Sequence, residues 1–573
     1  MNMKNQDFTT FEKIPYERVD FEKVKTFYQE INARLQDAKS YAEVKQCILD
    51  EEAFSSTIIT MGTIASVRHT IDTSDEFYAK EEEYFDQKYP EAMPYMQAFN
   101  ISLLNSPFRK QIEEEYGGHF LEMVELSTNS FSEKNIPLMQ EESELTNRYQ
   151  KLTAACKIPF DGGEHNLYGI LKYFSDPDRE VRKAAAKKYA EFFEKNDKEL
   201  GEIFDRLVKI RHEMGKNMGF ANFIPLGYKK QSRLDYDEKD VAAFRAQVLE
   251  EIVPFCKKLY EAQAKRIGVD KIRFYDEQLI FLGGNAVPIG DRAYLVEQAR
   301  KMYHDMSEET GEFIDFMIEH ELMDLDNKPN KAATGYMTTL NDYKAPFVYS
   351  CFNGTTGDVD VLTHEMGHAF AAYMAMRHQP LQALWSEPTD IAEIHSMSME
   401  QFAYPYAELF FGDKGEQYRF QHLQEALTFI PFGVAVDEFQ HIVYERPELT
   451  PDERTAVWRD LEKKYMPWRD YGDDNEFFSR GGWWYHKLHI YHYPFYYINY
   501  TLTSMGALEF KKKQATDKAA CWQDYKTLCK IGGSLGYRDS LKAANLAVPF
   551  EKGGVKRAVS YAIDILTEKI KEN

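Results

Sequence analysis

The start of the chain has apolar residues at the spacing of one helix face. Behind Asp20, a residue type that caps helix starts, these apolar residues stand three or four positions apart: Phe21, Val24, Tyr28, Ile31 and Leu35. Similar runs continue to about residue 153. The pattern predicts a helical N-terminal lobe over residues 1–153.

The periodicity changes after this point. Residues 154–160 lead into Asp161-Gly-Gly163, and with residues 166–171 they have the pattern of a β-hairpin. Asp176 and Pro177 then stand in the order of a helix N-cap and a first helical residue. We therefore predict a second lobe over residues 154–573, with some of its helices packed on the first lobe. Neither a flexible linker nor an internal repeat separates the two.

Two short strands are predicted ahead of a long helix, over residues 332–340 and 345–352. The second strand runs directly into that helix. Such a strand can hold an extended peptide by edge pairing, and a plain structural hairpin explains the pattern equally well.

Composition restricts the possible partners. The net charge of −23 argues against binding to nucleic acid or to an anionic membrane, since both repel an acidic surface. The N-terminus has no apolar signal segment, and no stretch approaches 18 apolar residues, so neither secretion nor a membrane span is expected. The six cysteines are scattered without a paired framework, which favours reduced thiols in a cytoplasmic protein.

Candidate chemistry lies in the helix after the second strand. His364-Glu365-x-x-His368 places two imidazoles one turn apart on one face, where both can hold one metal ion. With a third protein ligand, a zinc ion there keeps a fourth position for water and lowers the pKa of that water to about 7. Glu365 can take the proton as the water attacks a carbonyl. The alternative is two ordinary histidines that share a helix face.

The third ligand has to come from elsewhere in the chain. We choose Glu393, which follows His368 after 24 residues on the next polar helix. Asp390 and Glu393 also have the spacing of a capping box, which is the alternative reading of this pair. Asp360, one turn before His364, is the candidate for a carboxylate that orients a ligand imidazole, although an acid near a helix start is also common.

These residues carry a resemblance. The motif His364-Glu365-x-x-His368, the 24-residue interval and Glu393 with Ser396 and Glu400 behind it resemble the thimet oligopeptidase and oligoendopeptidase F family of zinc peptidases. The bacterial oligoendopeptidase F and Pz-peptidase branch is the most similar. The likeness extends from about Ala154 to the C-terminus and is much weaker over the first 150 residues. It implies a mainly α-helical, two-lobed metallopeptidase with a deep central cleft and a small antiparallel β-element beside the metal helix.

A second segment is rich in tyrosine and histidine. It resembles the family's loop in which a histidine and two tyrosines seven residues apart bind substrate and stabilise the negatively charged oxygen of the reaction. Tyr493 and Tyr500 have that interval, and His489 and His492 both lie upstream. We predict catalytic roles for Tyr493, Tyr500 and His489 and substrate binding by His492.

The resemblance implies an enzyme with one zinc ion that cleaves internal bonds of short, unstructured peptides. Tyr349 and Phe352, at the end of the second strand, are further candidates for substrate binding. Two alternatives remain: a zinc carboxypeptidase of similar helical build, and a helical binding protein without catalysis. The sequence leaves the oligomeric state open.

Overall fold

Helices make up most of the computed structural model, which describes residues 9–130, 132–284, 286–332, 334–472 and 475–572. The first eight residues, part of the segment predicted to lack a signal sequence, lie outside the described residues. In the first half of the chain the α-helices are α1 (Phe21–Asp37), α2 (Tyr41–Ile71), α3 (Glu76–Leu104), α4 (Arg109–Tyr116), α5 (Gly118–Asn129), α6 (Ile136–Ala154), α7 (Arg179–Lys195), α8 (Asp197–Asn217), α9 (Ile224–Lys230), α10 (Glu238–Glu251) and α11 (Val253–Arg266). In the second half they are α12 (Arg292–Met306), α13 (Glu308–Glu319), α14 (Thr356–His378), α15 (Thr389–Phe402), α16 (Ala407–Phe411), α17 (Gly415–Glu445), α18 (Pro451–Tyr465), α19 (Glu476–Ser479), α20 (Leu488–His492), α21 (Ile498–Thr516), α22 (Lys518–Ile531), α23 (Tyr537–Ala543) and α24 (Gly554–Glu572). The strands are β1 (Ile158–Phe160), β2 (Gly163–His165), β3 (Met323–Asp324), β4 (Tyr336–Leu340) and β5 (Ala345–Tyr349).

Contacts group the chain into two compact units, each built from three separate segments. The first unit is Met1–Asn129, Val287–Gly415 and Lys513–Leu546. The second is Ser130–Ala286, Glu416–Lys512 and Ala547–Asn573. These units differ from the division at residue 153 that the sequence suggested, because α6 groups with the second unit and later segments join the first. The N-terminal and catalytic lobes over 1–153 and 154–573 stay a prediction.

The predicted first helix is confirmed. Helix α1 begins at Phe21, and the Asp20 carboxylate accepts hydrogen bonds from the backbone N–H groups of Glu22 and Lys23. Its apolar face is buried as the spacing indicated.

The start of α7 was predicted two residues too early. Asp178 caps this helix by accepting from the N–H of Glu180, whereas Asp176 accepts from the N–H of Asp178 and so closes a turn before the helix. Both aspartates have capping chemistry, and the sequence did not separate them.

The predicted hairpin after residue 153 is present but shorter than expected. Strands β1 and β2 are antiparallel, with Ile158 opposite His165 and Phe160 opposite Gly163. Asp161 and Gly162 join them with φ of 49° and 71°, the backbone that a tight two-residue hairpin turn requires. The second strand was expected at residues 166–171, but Gly169–Ser175 forms a 3₁₀ helix instead.

The strands ahead of α14 form a three-stranded sheet in the order β3-β5-β4. Strands β4 and β5 are antiparallel, with Tyr336 opposite Tyr349 and Leu340 opposite Ala345, as the sequence predicted. The parallel strand β3 was missed, because two residues carry no periodicity. The mainly α-helical class with a small antiparallel β-element is therefore confirmed.

Helix α14 is enclosed by other elements of the first unit, and apolar residues are buried along its whole length. On one side the Tyr303 hydroxyl of α12 donates to the carbonyl of Leu362 at 2.8 Å. On another, the ring of Phe370 packs near Trp522 and Tyr525 of α22, with centroids 5.8 and 6.3 Å away. These neighbours fix the position of the helix that carries the histidines.

In the described part of the chain, no helix combines the length and the apolar character that a membrane crossing requires.

Candidate metal centre

The start of α14 is tied to the loop that leaves β5. The buried carboxylate of Asp358 accepts hydrogen bonds from the N–H groups of Asn353 and Gly354, at 2.9 and 2.7 Å. Gly354 has a φ of +80°, a conformation that favours glycine. The loop therefore holds α14 in a fixed orientation, two turns before His364 begins the motif.

Close contact between α14 and α15 brings the third residue to the two histidines. Gly367, inside the motif, faces α15, and a Cβ added there would lie 2.7 Å from Cα of Ser396 and 2.8 Å from the carbonyl oxygen of His395. Only a residue without a side chain permits this approach. The glycine thus determines how near Glu393 comes to the imidazoles.

The three predicted ligands come together. Oε2 of Glu393 lies 3.2 Å from Nε2 of His364 and 3.4 Å from Nε2 of His368. The three ligand atoms all lie within 4.8 Å of one another. Ser396 donates from its hydroxyl to the same Oε2 at 2.9 Å, which orients the carboxylate. Helix α15 begins at Thr389 behind Pro388, with no side-chain cap, so the capping-box alternative for Asp390 and Glu393 is wrong.

A second carboxylate lies on the opposite side of His364. Oε1 of Glu400 is 2.5 Å from Nδ1 of this imidazole, so the carboxylate fixes the ring orientation in which Nε2 faces Glu393 and the candidate metal position. Asp360 was predicted to be the carboxylate that orients a ligand imidazole. Glu400 has this role at His364. Orientation of His368 by Asp360 stays a prediction.

The electrostatics of the centre depend on this pairing. Burial disfavours the charged form of His364, but the hydrogen bonds to Glu393 and Glu400 outweigh burial and raise the pKa of the imidazole well above its ordinary value. Burial also acts to raise the pKa of Glu393. The hydrogen bonds to His364 and His368 outweigh burial and hold the pKa of this carboxylate well below its usual range. The carboxylate is therefore ionised, as a metal ligand must be.

The donor set fits a zinc ion. Two ligand atoms bound to one tetrahedral ion at about 2.1 Å are about 3.4 Å apart. The two separations from Oε2 of Glu393 to the imidazole nitrogens, 3.2 and 3.4 Å, match that edge length. Two imidazoles and one carboxylate are also ligands that zinc prefers at catalytic sites, and they leave one position open.

Replacement of Gly367 by alanine should separate α14 from α15. We expect the free energy of unfolding to fall by about 1–3 kcal/mol, because the added methyl meets backbone atoms that cannot rotate away. Metal affinity should fall as well, since Glu393 is carried by the displaced helix. Thermal unfolding and metal titration measure the two effects.

Gly357→Ala is the matched control on the same helix. Among the described residues, an added Cβ there meets only the Thr355 hydroxyl, at 3.4 Å, so no loss is expected. If Gly367→Ala is as stable as Gly357→Ala and binds metal equally well, close helix contact does not shape the centre.

Replacement of Glu400 by alanine should lower metal affinity by about 10–100-fold, the usual cost of losing an outer carboxylate on a ligand histidine. Glu400→Gln keeps an oxygen that can accept from Nδ1, and its loss should be smaller. Competition with a fluorescent chelator measures both affinities. Equal affinities for all three proteins would mean that this carboxylate does not orient His364.

The candidates for substrate binding after β5 differ from each other. Tyr349 is fully buried, and its hydroxyl lies 2.7 Å from the carbonyl oxygens of both Thr70 and Ala332. Because Tyr349 is enclosed in this way, its role is in core packing. This differs from the predicted contact with the substrate. Phe352 is partly exposed just beyond the strand, and its role stays a prediction.

The tyrosine- and histidine-rich segment belongs to the second unit. The ring of His489 lies among four tyrosines, with centroid distances between 4.9 and 6.0 Å: Tyr493, Tyr496, Tyr497 and Tyr500. Phe495 reverses the chain within this segment with a φ of +65°, which is rare for a bulky residue. Gln440 accepts the hydrogen bond of its N–H, so buried contacts maintain this backbone. The segment thus groups His489 with both predicted tyrosines.

His492 is engaged differently. Its Nε2 lies 3.0 Å from the carbonyl oxygen of Thr146, and burial lowers the pKa of the ring. Of the two histidines, His489 is therefore the one that shares a cluster with Tyr493 and Tyr500. The catalytic roles of these three residues, and substrate binding by His492, stay predictions.

Sequence reasoning missed Gly367, and it named Ser396 and Glu400 as parts of the family motif without predicting their contacts with Glu393 and His364. Glu400 lies seven residues, about two turns, beyond Glu393, and this spacing was the available signal that both share a face of α15.

Comparison with known proteins gives the chain its family. Residues 11–131 match the Peptidase M3 N-terminal domain, and residues 172–279 and 294–559 match Peptidase family M3. The curated Oligopeptidase PepF of Bacillus subtilis (strain 168) is 21% identical over 515 residues, which are 84% of this chain and 74% of that protein.

Solved structures agree with this match. PZ peptidase A, solved with an inhibitor, is 42% identical with a TM-score of 0.89 over 98% of this chain and 99% of its own. A protein from Bacillus anthracis assigned as an oligoendopeptidase F is 38% identical with a TM-score of 0.84, over 99% of this chain and 98% of its own. The resemblance inferred from the motif is confirmed. The chain belongs to peptidase family M3 and is a peptidase.

Proposed function

We propose that this peptidase is a zinc-dependent endopeptidase that hydrolyses internal bonds of short, unstructured peptides. The observation that carries the proposal is the triangle of His364, His368 and Glu393, with Glu365 adjacent on the same helix. The name oligoendopeptidase F, given to a structural neighbour, supports internal cleavage by this chain.

The proposed centre uses His364, His368 and Glu393 to hold one zinc ion. When bound, the ion supplies a Lewis acid that polarises the scissile carbonyl and lowers the pKa of a water molecule. Glu365 accepts the proton of the attacking water on its carboxylate and passes it to the nitrogen of the leaving amine. Glu365 is partly exposed, so its carboxylate is accessible to a substrate.

The strand expected to offer its edge, β5, lies between β3 and β4 and is paired on both sides, so that expectation is wrong for β5. The substrate is instead proposed to align along β4. Among the described residues this strand pairs only with β5, so its outer edge presents backbone groups to an added strand. An extended peptide fits this edge and a folded protein does not, because a folded chain has already paired its backbone groups. This supports short, unstructured peptides as the substrate class.

Tyr500, with Tyr493 or His489, is the proposed donor to the oxygen that becomes negative during attack. A hydrogen bond that forms only in the transition state contributes about 2.7–4 kcal/mol. Burial and the charges of Lys487 and His492 lower the pKa of His489 to about 4, so this ring is neutral at pH 7 and can donate from one nitrogen.

An internally quenched peptide with an amidated C-terminus tests the proposal. Cleavage at an internal bond that stops with a chelator and returns with zinc supports the endopeptidase. A carboxypeptidase needs a free C-terminal carboxylate and would leave this peptide intact. Mass spectrometry of the products identifies the bond that was cut.

The partners in this proposal are peptides, with no role for nucleic acid or membrane. A cytoplasmic location is part of the proposal, supported by six cysteines that are all free thiols.

A further inference from the structure

Lys487 occupies an unusual environment in the second unit. Its Nζ donates to the Tyr497 hydroxyl at 3.1 Å and lies 4.5 Å from the centroid of the Tyr497 ring. The ring of Phe432 is on another side, with its centroid 5.5 Å from Nζ. The ammonium group thus lies in an aromatic recess, and the side chain keeps partial solvent access.

No carboxylate accompanies this cation. In the described ranges of the chain, Lys487 has no aspartate or glutamate within ion-pairing distance, and the Tyr497 hydroxyl is its single hydrogen-bond acceptor. An ammonium group has three donors, so two are unused. Lysines that are largely removed from water normally have an anionic partner, because an unpaired charge is costly to desolvate.

The two histidines near Lys487 in the sequence do not supply an anionic partner for its ammonium group. Among the described residues, His486 makes one hydrogen bond, in which its Nδ1–H donates to the backbone carbonyl of Trp483. His489 follows two residues later, and its buried Nδ1 has no hydrogen-bond partner among the described residues. The ring centroids of His489 and Tyr497 are 4.9 Å apart. Beside the Tyr497 ring, the unused donors of Lys487 therefore occur together with the unpaired Nδ1 of His489.

We propose that Lys487 binds a carboxylate of the peptide substrate. The inference rests on the proposed function, in which the segment of His489, Tyr493 and Tyr500 contacts the peptide. The carboxylate belongs either to the C-terminus of the peptide or to an acidic side chain, and both offer the same two oxygens to the ammonium.

The state of the lysine agrees with this role. Burial lowers the pKa of Lys487 to about 8, so the group is still mostly charged at pH 7. The imidazoles of His486 and His489 both have lowered pKa values and are neutral there, and burial raises the pKa of Tyr497, which stays protonated. The ammonium is thus the one charge in the recess among the described residues.

Four quenched peptides of one core sequence test the proposal. Two differ only in a free or amidated C-terminus, and two differ only in a glutamate or glutamine near that end. With the unaltered enzyme we expect KM to be about tenfold lower for the carboxylate form of one pair, with similar kcat, as a charge-assisted hydrogen bond implies. The pair that shows the difference identifies which carboxylate is bound. No preference in either pair overturns the proposal.

Lys487→Met should raise KM for the preferred peptide about tenfold and leave KM for its neutral partner unchanged. Lys487→Arg keeps the charge and should keep most of the preference. Lys198→Met is the control, since this lysine of the same unit is 90% exposed. If Lys487→Met raises KM equally for both members of a pair, the lysine is only a packing residue. If Lys487→Met does not fold, the carboxylate preference of Lys487→Arg and of the unaltered enzyme still tests the proposal.

The preference should also depend on pH. Since the pKa of Lys487 is lowered to about 8, the charged form is present below that pH, and discrimination should fade as pH rises above it. A preference that is constant from pH 6.5 to 9.5 contradicts the proposal. If the unaltered enzyme cleaves none of the four peptides in a zinc-dependent way, it is the proposed function that has failed. Cleavage without preference refutes the carboxylate subsite alone.

Discussion

Replacement of Glu365 by glutamine is expected to lower kcat by about 10³-fold or more while the zinc content stays that of the unaltered protein. A general base contributes about 10²–10⁴-fold to such a reaction, and glutamine cannot accept the proton. The metal should remain because the three proposed ligands, His364, His368 and Glu393, are untouched. Single-turnover cleavage of a quenched peptide and zinc analysis of the same sample measure the two quantities.

Glu312→Gln serves as the control for this change, because this exposed glutamate lies on α13 of the same unit. It should keep both activity and zinc. Should Glu365→Gln cleave peptides at close to the parental rate, the carboxylate is not the base and the proposed mechanism is wrong.

Replacement of Glu393 by alanine is expected to reduce zinc affinity by more than 100-fold. The change removes the one oxygen that lies 3.2 and 3.4 Å from the two imidazole nitrogens, so two ligands remain where three are needed. The loss should exceed the roughly 10–100-fold expected for Glu400→Ala, which removes only an outer partner. Chelator competition at one pH gives both constants.

Activity of Glu393→Ala should return in part at high zinc concentration, because the base Glu365 is intact. Glu312→Ala is again the control. Unchanged zinc affinity in Glu393→Ala would mean that Glu393 is not the third ligand.

Local patterns explain which features the sequence could predict. His364 and His368 share a helix face because they are four residues apart, and this holds wherever the helix lies in the fold. The cap at Asp20 and the pairing of β4 with β5 depend on similarly short intervals. Glu393 was harder, since 24 residues separate it from His368, and it was chosen for its place on the next polar helix.

The remaining features depend on how elements pack. Glu400 reaches Nδ1 of His364 because Gly367 lets α15 lie close to α14, and no interval in the sequence reports that approach. Tyr349 was predicted to bind substrate because of its place beside the metal helix. Its hydroxyl instead contacts backbone carbonyls of other segments, so the side chain is part of the core. A tyrosine that packs and a tyrosine that binds look alike in a sequence.

The first unit takes its parts from three stretches that are far apart in the sequence. Helix α22, which packs on Phe370 of the histidine helix, is made only after residue 512. During synthesis, the ribosome therefore adds the helix that packs on Phe370 well after the histidine helix, and a nascent chain carries both histidines before these surroundings exist. Contacts between such distant segments also require the closure of long loops, which favours slow folding. A chain that stopped before α22 would hold the motif without this part of its enclosure.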